Sequence, residues 1–270
     1  MHIFNVYIFI YKYNFNIKKY MSISKGGGRL GNQIIRNLAA NIICKKHDLY
    51  CNYFDYLNSY ESIKQLGINL FIGKNIYNNT ILLTEESYPL IYESNELFTN
   101  NLMISDFFQT DYVMQLIYKY LRNDEIKENI INANPFKDRY NSNNDLLIHI
   151  RLDDLAYCNP GNNFYFKAIS NINNFDNLYI TTDQKDHDII KQIIEKYQNA
   201  IIIDYDEIKT IQFASTCKNI ILTYGTFSTI IGYLAYYSNI YYSAFEKNQQ
   251  YIACHLGMIT NIPDWIKIDY

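Results

Sequence analysis

The chain has no C-x-x-C pair, no long apolar run and no surplus of basic residues, and each absence removes a class of function. Its five cysteines (Cys44, Cys51, Cys158, Cys217, Cys254) are odd in number and widely spaced, so neither a zinc site nor a redox pair is indicated. Free thiols in a reducing, cytoplasmic compartment are the expected state. The apolar stretch within "MHIFNVYIFIYKYNFNIKKY" is broken by Asn5 and falls far short of the ~20 residues that span a bilayer. It also lacks the leading charge and trailing small residues of a cleavable signal. Residues 1–20 are read as an accessory extension, with weak membrane association as the alternative. A net charge of −3 and a pI near 6.0 leave no basic face for nucleic acid.

What is present is ordinary for a globular chain: 270 residues, 49% hydrophobic and 19% charged, enough for one large domain or two small ones. The 28 tyrosines follow no repeat and are read as structural. Residues 21–25 read as a strand ending in a glycine loop, and Leu30, Ile34, Ile35, Leu38, Ile42 and Ile43 then recur at helical spacing on one face. "LYCNYF", "SYESIKQLG", "TILL", "DYVMQLIYKYLR" and "DEIKENIINA" continue as strand, helix, strand and two helices, with residues 68–104 weakly patterned. The polar stretch "NPFKDRYNSNND" (134–145) breaks the pattern and marks a domain boundary. Beyond it, four apolar strands alternate with four helices from "LLIHIR" to "STIIGYLAYY". That alternation implies a parallel sheet covered on both faces, with ligands at the carboxyl ends of its strands. The expected organisation is an extension at 1–20, one α/β domain over 21–144 and a second over 145–270.

"KGGGRLGNQIIRN" contains G-x-G-x-x-G at Gly26, Gly28 and Gly31. One reading is a dinucleotide site, with diphosphate on the helix N-terminus and Asp55 on the ribose. The other is a tight strand-to-helix turn. His149 and Arg151 share one side of the "LLIHIR" strand, and a guanidinium ending such a strand is either salt-bridged, to Asp153 or Asp154, or an anion ligand. As a ligand it would grip the diphosphate of a nucleotide-sugar and stabilise the departing charge. In "TYGTFST" a strand ends at Gly225 and Thr226, and a helix follows whose N–H groups can hold a phosphate. Thr226 or Ser228 is the expected cap.

Several segments, in order, resemble glycosyltransferase family 11, the α-1,2-fucosyltransferases. "GGGRLGNQIIRNLAA" is similar to G-G-L-G-N-Q-hydrophobic-aromatic, "SDFFQTDYV" to G-Y-F-Q-S-x-x-Y, and "IHIRLDDL" to H-x-R-R-G-D-Y. "FYFKAI" is similar to Y-Y-x-x-A-I, "FASTCKNIILTYGTFSTIIGYL" to M-S-x-C-x-x-x-I-x-x-N-S-S-F-S-W-W-x-x-x-L, and "IPDWIKID" to P-x-x-W-x-x-I. The likeness covers residues 21–270. It implies a GT-B-like fold: two Rossmann-like α/β domains with mainly parallel sheets and a ligand cleft between them.

The implied activity is inverting, metal-independent transfer of fucose from GDP-fucose to a glycan hydroxyl, without a cofactor. Carried over to this sequence, Arg151 holds the GDP phosphates, aided by Gly28, Arg29, Gly31, Asn32, His149, Gly225, Thr226, Phe227 and Ser228. Asp183 matches an acidic position near the base, where a carboxylate can select guanine; the plain alternative is a helix cap. Asp154 aligns with the motif's aspartate, as catalytic base or as a prop for Arg151; Asp106 and Asp111 are further carboxylates to weigh for the base. Phe108 and Gln109 fall on the acceptor side.

The chain also departs from the pattern. Leu152 replaces the second arginine, Asp153 replaces glycine, and Thr229 and Ile230 replace paired tryptophans, which puts donor affinity and identity in question. Rival readings are a metal-dependent transferase using Asp204 and Asp206 of "IIIDYDEI", a non-catalytic nucleotide-sugar or glycan-binding protein, and an NAD-dependent enzyme.

Overall fold

The computed structural model describes residues 21–24, 28–53, 55–104, 106–154, 156–243 and 262–270. Residues 1–20, and with them the extension and its membrane alternative, lie outside these, as does Gly26. The first half runs β1 (Ser22–Ser24), α1 (Leu30–Lys46), β2 (Cys51–Tyr53), α2 (Ser59–Gln65), β3 (Thr80–Leu83), α3 (Ser87–Glu93), β4 (Asn101–Ile104), α4 (Asp111–Leu121) and α5 (Asp124–Ala133). The second runs β5 (Leu146–Ile150), α6 (Asn162–Ser170), β6 (Leu178–Thr182), α7 (Asp188–Lys196), β7 (Ile201–Ile202), α8 (Glu207–Ala214), β8 (Asn219–Leu222), α9 (Thr226–Leu234), β9 (Asn239–Ser243) and β10 (Ile266–Ile268). Among the described residues no helix is long and apolar enough to cross a membrane.

Two sheets form, of four strands in the order β2-β1-β4-β3 and six in the order β10-β9-β8-β5-β6-β7, and their strand pairs are parallel. Numbered within its own half, the larger sheet reads 3-2-1-4-5-6, the doubly wound order, and its winding reverses between β5 and β8. In the smaller sheet the reversal lies between β1 and β4. The glycine loop, "DFFQT", Arg151 and "GTFST" therefore leave the carboxyl ends of the four strands at the two switch points.

β5 is buried along its whole length, and alternation divides its side chains between two cores. Leu147 joins the larger, shared with α1, α4, α8 and α9, while Leu146, Ile148 and Ile150 join the one under α6 and α7. The larger core is continuous from the first sheet to the second. Residues 134–145, read from the sequence as a domain boundary, connect the two sheets and are fastened down. Asn134 Nδ2 donates to the Gln212 carbonyl at 2.9 Å, Asn143 Nδ2 to that of Thr216 at 3.0 Å, and Arg139 pairs with Asp145 at 2.6 Å.

α1 departs from its expected one-sided burial: every residue from Gln33 to Cys44 is buried. It packs against α2, α4, α9 and β1, so its polar side must be satisfied internally. Arg36 Nε donates to the Asp106 carbonyl at 2.9 Å, Asn37 Oδ1 accepts from Ser24 Oγ at 2.9 Å, and Asn41 Oδ1 accepts from the Phe71 N–H at 2.7 Å. The "IPDW" segment has a packing role, for Trp265 lies against Gly232 of α9, where an added Cβ would come within 2.4 Å of its ring.

One expectation about cysteine fails. Cys44, Cys51 and Cys217 are buried free thiols, but Cys158 is disulfide-bonded. The spacing argument sees only sequence neighbours and could not anticipate this bond.

Gly31 sits where α1 meets α9. A Cβ there would lie 2.6 Å from Thr226 Oγ1 and 2.7 Å from the Phe227 backbone nitrogen. Alanine is favoured over glycine inside a helix by about 1 kcal/mol, but here overpacking should dominate. Gly31→Ala is expected to destabilise the chain by about 1–3 kcal/mol in urea unfolding; a gain in stability would contradict this packing.

Candidate active site

A cleft of about 1070 Å³ opens between the carboxyl ends of the two sheets. The first half contributes Arg29, Leu30, Gly31 and Asn32 at the start of α1, Phe107 and Gln109 from the loop before α4, Asn58 at the N-cap of α2, and Ser62 and Gln65 on it. The second contributes His149 and Arg151 after β5, Thr181 to Asp183 after β6, Ile203 to Ile208 around the start of α8, and Tyr224 to Phe227 at the start of α9.

Two helix N-termini abut here, and neither is capped by a side chain. Arg29 stands at the N-cap of α1, Gly225 at that of α9. The expected caps are engaged elsewhere: Thr226 Oγ1 donates to Asn32 Oδ1 at 2.9 Å, and Ser228 Oγ is hydrogen-bonded to His149 Nδ1. Gly225 takes φ 104°, a conformation open to glycine. Asn32 Oδ1 also accepts from Gln109 Nε2 at 2.9 Å, so one carboxamide joins the glycine loop, the α4 loop and α9. Gly225 has no side chain to cap α9, and the first residues of that helix, Thr226 and Phe227, line the cleft.

Arg151 is held by two carboxylates. Its Nη2 lies 2.6 Å from Asp154 Oδ1 and its Nε 3.1 Å from Asp183 Oδ2. Asp154 thus realises the salt-bridged alternative, while Asp153 pairs instead with Arg29 at 2.7 Å. Arg29 also reaches Asp154 Oδ2 at 3.4 Å, so Asp154 lies between two guanidinium groups from opposite sides of the cleft. Burial works to raise the Asp154 carboxyl, but the hydrogen bond and charge of Arg151, with Arg29 behind, hold it below the ordinary value. The hydrogen bond to Asp153 strengthens the protonation of Arg29. Asp183 does not cap a helix. Its Oδ1 accepts from the Leu152 N–H at 2.8 Å and its Oδ2 faces Arg151, while α7 is capped by His187.

His149 is buried, and burial together with the charge of Arg151 pushes its pKa down to about 3. It is a neutral hydrogen-bonding group, its ring tilted against that of Phe227 at 5.4 Å, and carries no charge for an anion at neutral pH.

Other sequence expectations change. Phe108 is fully buried against Tyr88 with φ 57°; the left-handed turn exposes its neighbour Phe107, whose ring lies 4.8 Å from the Arg36 guanidinium. Leu152 is buried in the core under α6 and α7 and does not line the cleft. Asp55, the ribose candidate of a dinucleotide site, accepts from the Tyr60 N–H at 2.8 Å and does not line the cleft; nor do Asp106 and Asp111. Of the D-x-D pair, Asp204 is 2.7 Å from Lys185, and Asp206 caps α8 through the Lys209 N–H at 2.7 Å. Among the described residues no group of three or more metal-ligating side chains occurs. The α2 face and Tyr205 were not legible as lining, since only the fold brings them to the cleft.

No protein-family model and no curated protein sequence matches the chain. Among solved structures the fold is similar to that of the fucosyltransferase NodZ from Bradyrhizobium. Two crystal structures of it align with TM-score 0.52 over 83% of this chain, at 8% and 10% identity, covering 94% and 95% of that protein. The E. coli heptosyltransferase WaaC aligns with TM-score 0.46 at 7% identity, over 91% of each chain. Arabidopsis thaliana FUT1 in complex with GDP aligns with TM-score 0.45 at 9% identity, over 84% of this chain and 70% of that one. The fold is the two-sheet GT-B arrangement.

The depressed pKa of His149 has a consequence for stability. The unfolded chain takes up a proton on this residue below about pH 6.5, whereas the native chain does so only near pH 3. Stability should therefore fall as pH drops between these values. His149→Gln should flatten that part of a melting-temperature profile; an unchanged slope would show that His149 is not buried neutral.

Proposed function

We propose that the chain is a glycosyltransferase that binds a nucleoside-diphosphate sugar at Arg151 and the start of α9. The observation that carries this reading is their meeting at the switch point between β5 and β8, where doubly wound sheets bind ligands. The uncapped N–H groups and helix dipole of α9 favour a phosphate, and Arg151 supplies a planar fork for two of its oxygens. A departing diphosphate concentrates charge as the glycosidic bond breaks, so a fixed guanidinium stabilises the transition state more than the ground state.

In this reading Asp154 and Asp183 orient Arg151. Asp154 is a weak base for its class, which fits positioning better than proton abstraction. Arg29, Gly31 and Asn32 approach the diphosphate from the other side, and Phe107 and Gln109 border the acceptor. The finer assignment is inverting, metal-independent transfer of fucose from GDP-fucose to a glycan hydroxyl, as in family 11. It is favoured by the ordered motifs and by the fold shared with a fucosyltransferase.

Arg151→Ala should abolish transfer to a broad glycan panel while leaving thermal unfolding near wild type. Arg151→Lys should lose most activity, because an ammonium cannot reproduce the fork. Wild-type turnover in either variant would contradict the reading. Turnover should also persist in EDTA; its loss, with rescue by manganese, would favour the metal-dependent alternative through Asp204 and Asp206.

A further inference from the structure

The cleft extends well beyond Arg151, and its extension is one-sided. From the β5–β8 switch point it runs past Thr181, Thr182 and Ile203 at the ends of β6 and β7 to the start of α8. Among the described residues, none from β9 or β10 lines it. At its far end stands Tyr205, 46% exposed although its ring is fixed from behind. Phe136 and Phe213 lie 5.6 and 5.7 Å from it, centroid to centroid, and the Tyr205 carbonyl accepts from Thr210 Oγ1 at 3.3 Å.

A rigidly backed aromatic ring left half open to a cavity is a stacking platform. Ser62 and Gln65, three residues apart on α2, and Asn58 at its N-cap line the same cleft, and Gln212 Nε2 ties that helix to α8 through the Gln65 carbonyl at 3.0 Å.

We infer that Tyr205 is the platform for the nucleobase of the donor, with the uncharged amide and hydroxyl groups of α2 facing the base across the cleft. The inference rests on the nucleotide-sugar reading above. Two strand spacings separate β5 from β7, about 10 Å, so a diphosphate at Arg151 leaves its ribose over β6 and its base over Tyr205. The transferred sugar then points the other way, toward Phe107 and Gln109. This assignment moves base recognition away from Asp183, both of whose oxygens are engaged with Arg151 and the Leu152 backbone.

The test compares GDP with inorganic pyrophosphate by calorimetry on the full chain. Tyr205→Ala should weaken GDP binding about tenfold or more and leave pyrophosphate binding unchanged, while Tyr205→Phe, which keeps the ring, should bind both as wild type does. GDP binding by Tyr205→Ala at wild-type strength would overturn the inference, as would equal loss of both ligands or loss of GDP binding in Tyr205→Phe. Arg151→Ala separates the two claims: it should weaken both ligands. If it weakens neither, the diphosphate reading itself fails, whatever Tyr205 does.

Discussion

The structure depends on how closely two helices meet. α1 and α9 begin on different sheets, and their first turns abut at Gly31, where no side chain fits between them. Asn32 then fixes the contact, accepting from Thr226 on one side and Gln109 on the other. This junction sets the carboxyl ends of the sheets across from each other, and the cleft is the space that remains. It also explains why α1 is buried on every side, for the helix is the shared centre of both halves rather than a surface helix of one.

The same contact creates an electrostatic demand. Two uncapped helix N-termini, Arg29 and Arg151 converge on one cavity, and without a compensating anion they would repel. Three carboxylates answer them: Asp153 on Arg29, Asp183 on Arg151, and Asp154 between the two guanidinium groups. The Arg29–Asp153 pair is exposed and contributes little to stability by itself. Its effect is to hold a cation of the first half against the second. A diphosphate, acceptor-only and doubly anionic, matches the same donors.

Much of this was readable in the chain. Continuous apolar strands alternating with helices gave the parallel second sheet, and Arg151 and Gly225 follow strand ends as expected. What was not readable depended on backbone geometry and long-range packing. Burial on the second side of α1 requires acceptors such as the Asp106 carbonyl, seventy residues away in sequence. The choice between Phe107 and Phe108 turns on one left-handed residue. α9 starts at Thr226 rather than Ser228, and with that shift the hydroxyls expected as caps become bridges to Asn32 and His149. Leu152 stands where the motif has an arginine, two residues beyond β5, and only the fold shows that its side chain joins the core. Tyr205 was one tyrosine among many until the fold set it on the cleft wall.

The central claim is that the cleft between the two switch points is a nucleoside-diphosphate site. A crystal structure of the chain with GDP tests it most directly. The account predicts phosphate oxygens within hydrogen-bonding distance of the Arg151 guanidinium and of the backbone N–H groups that begin α9. GDP bound elsewhere, with Arg151 held only by Asp154 and Asp183, would contradict it.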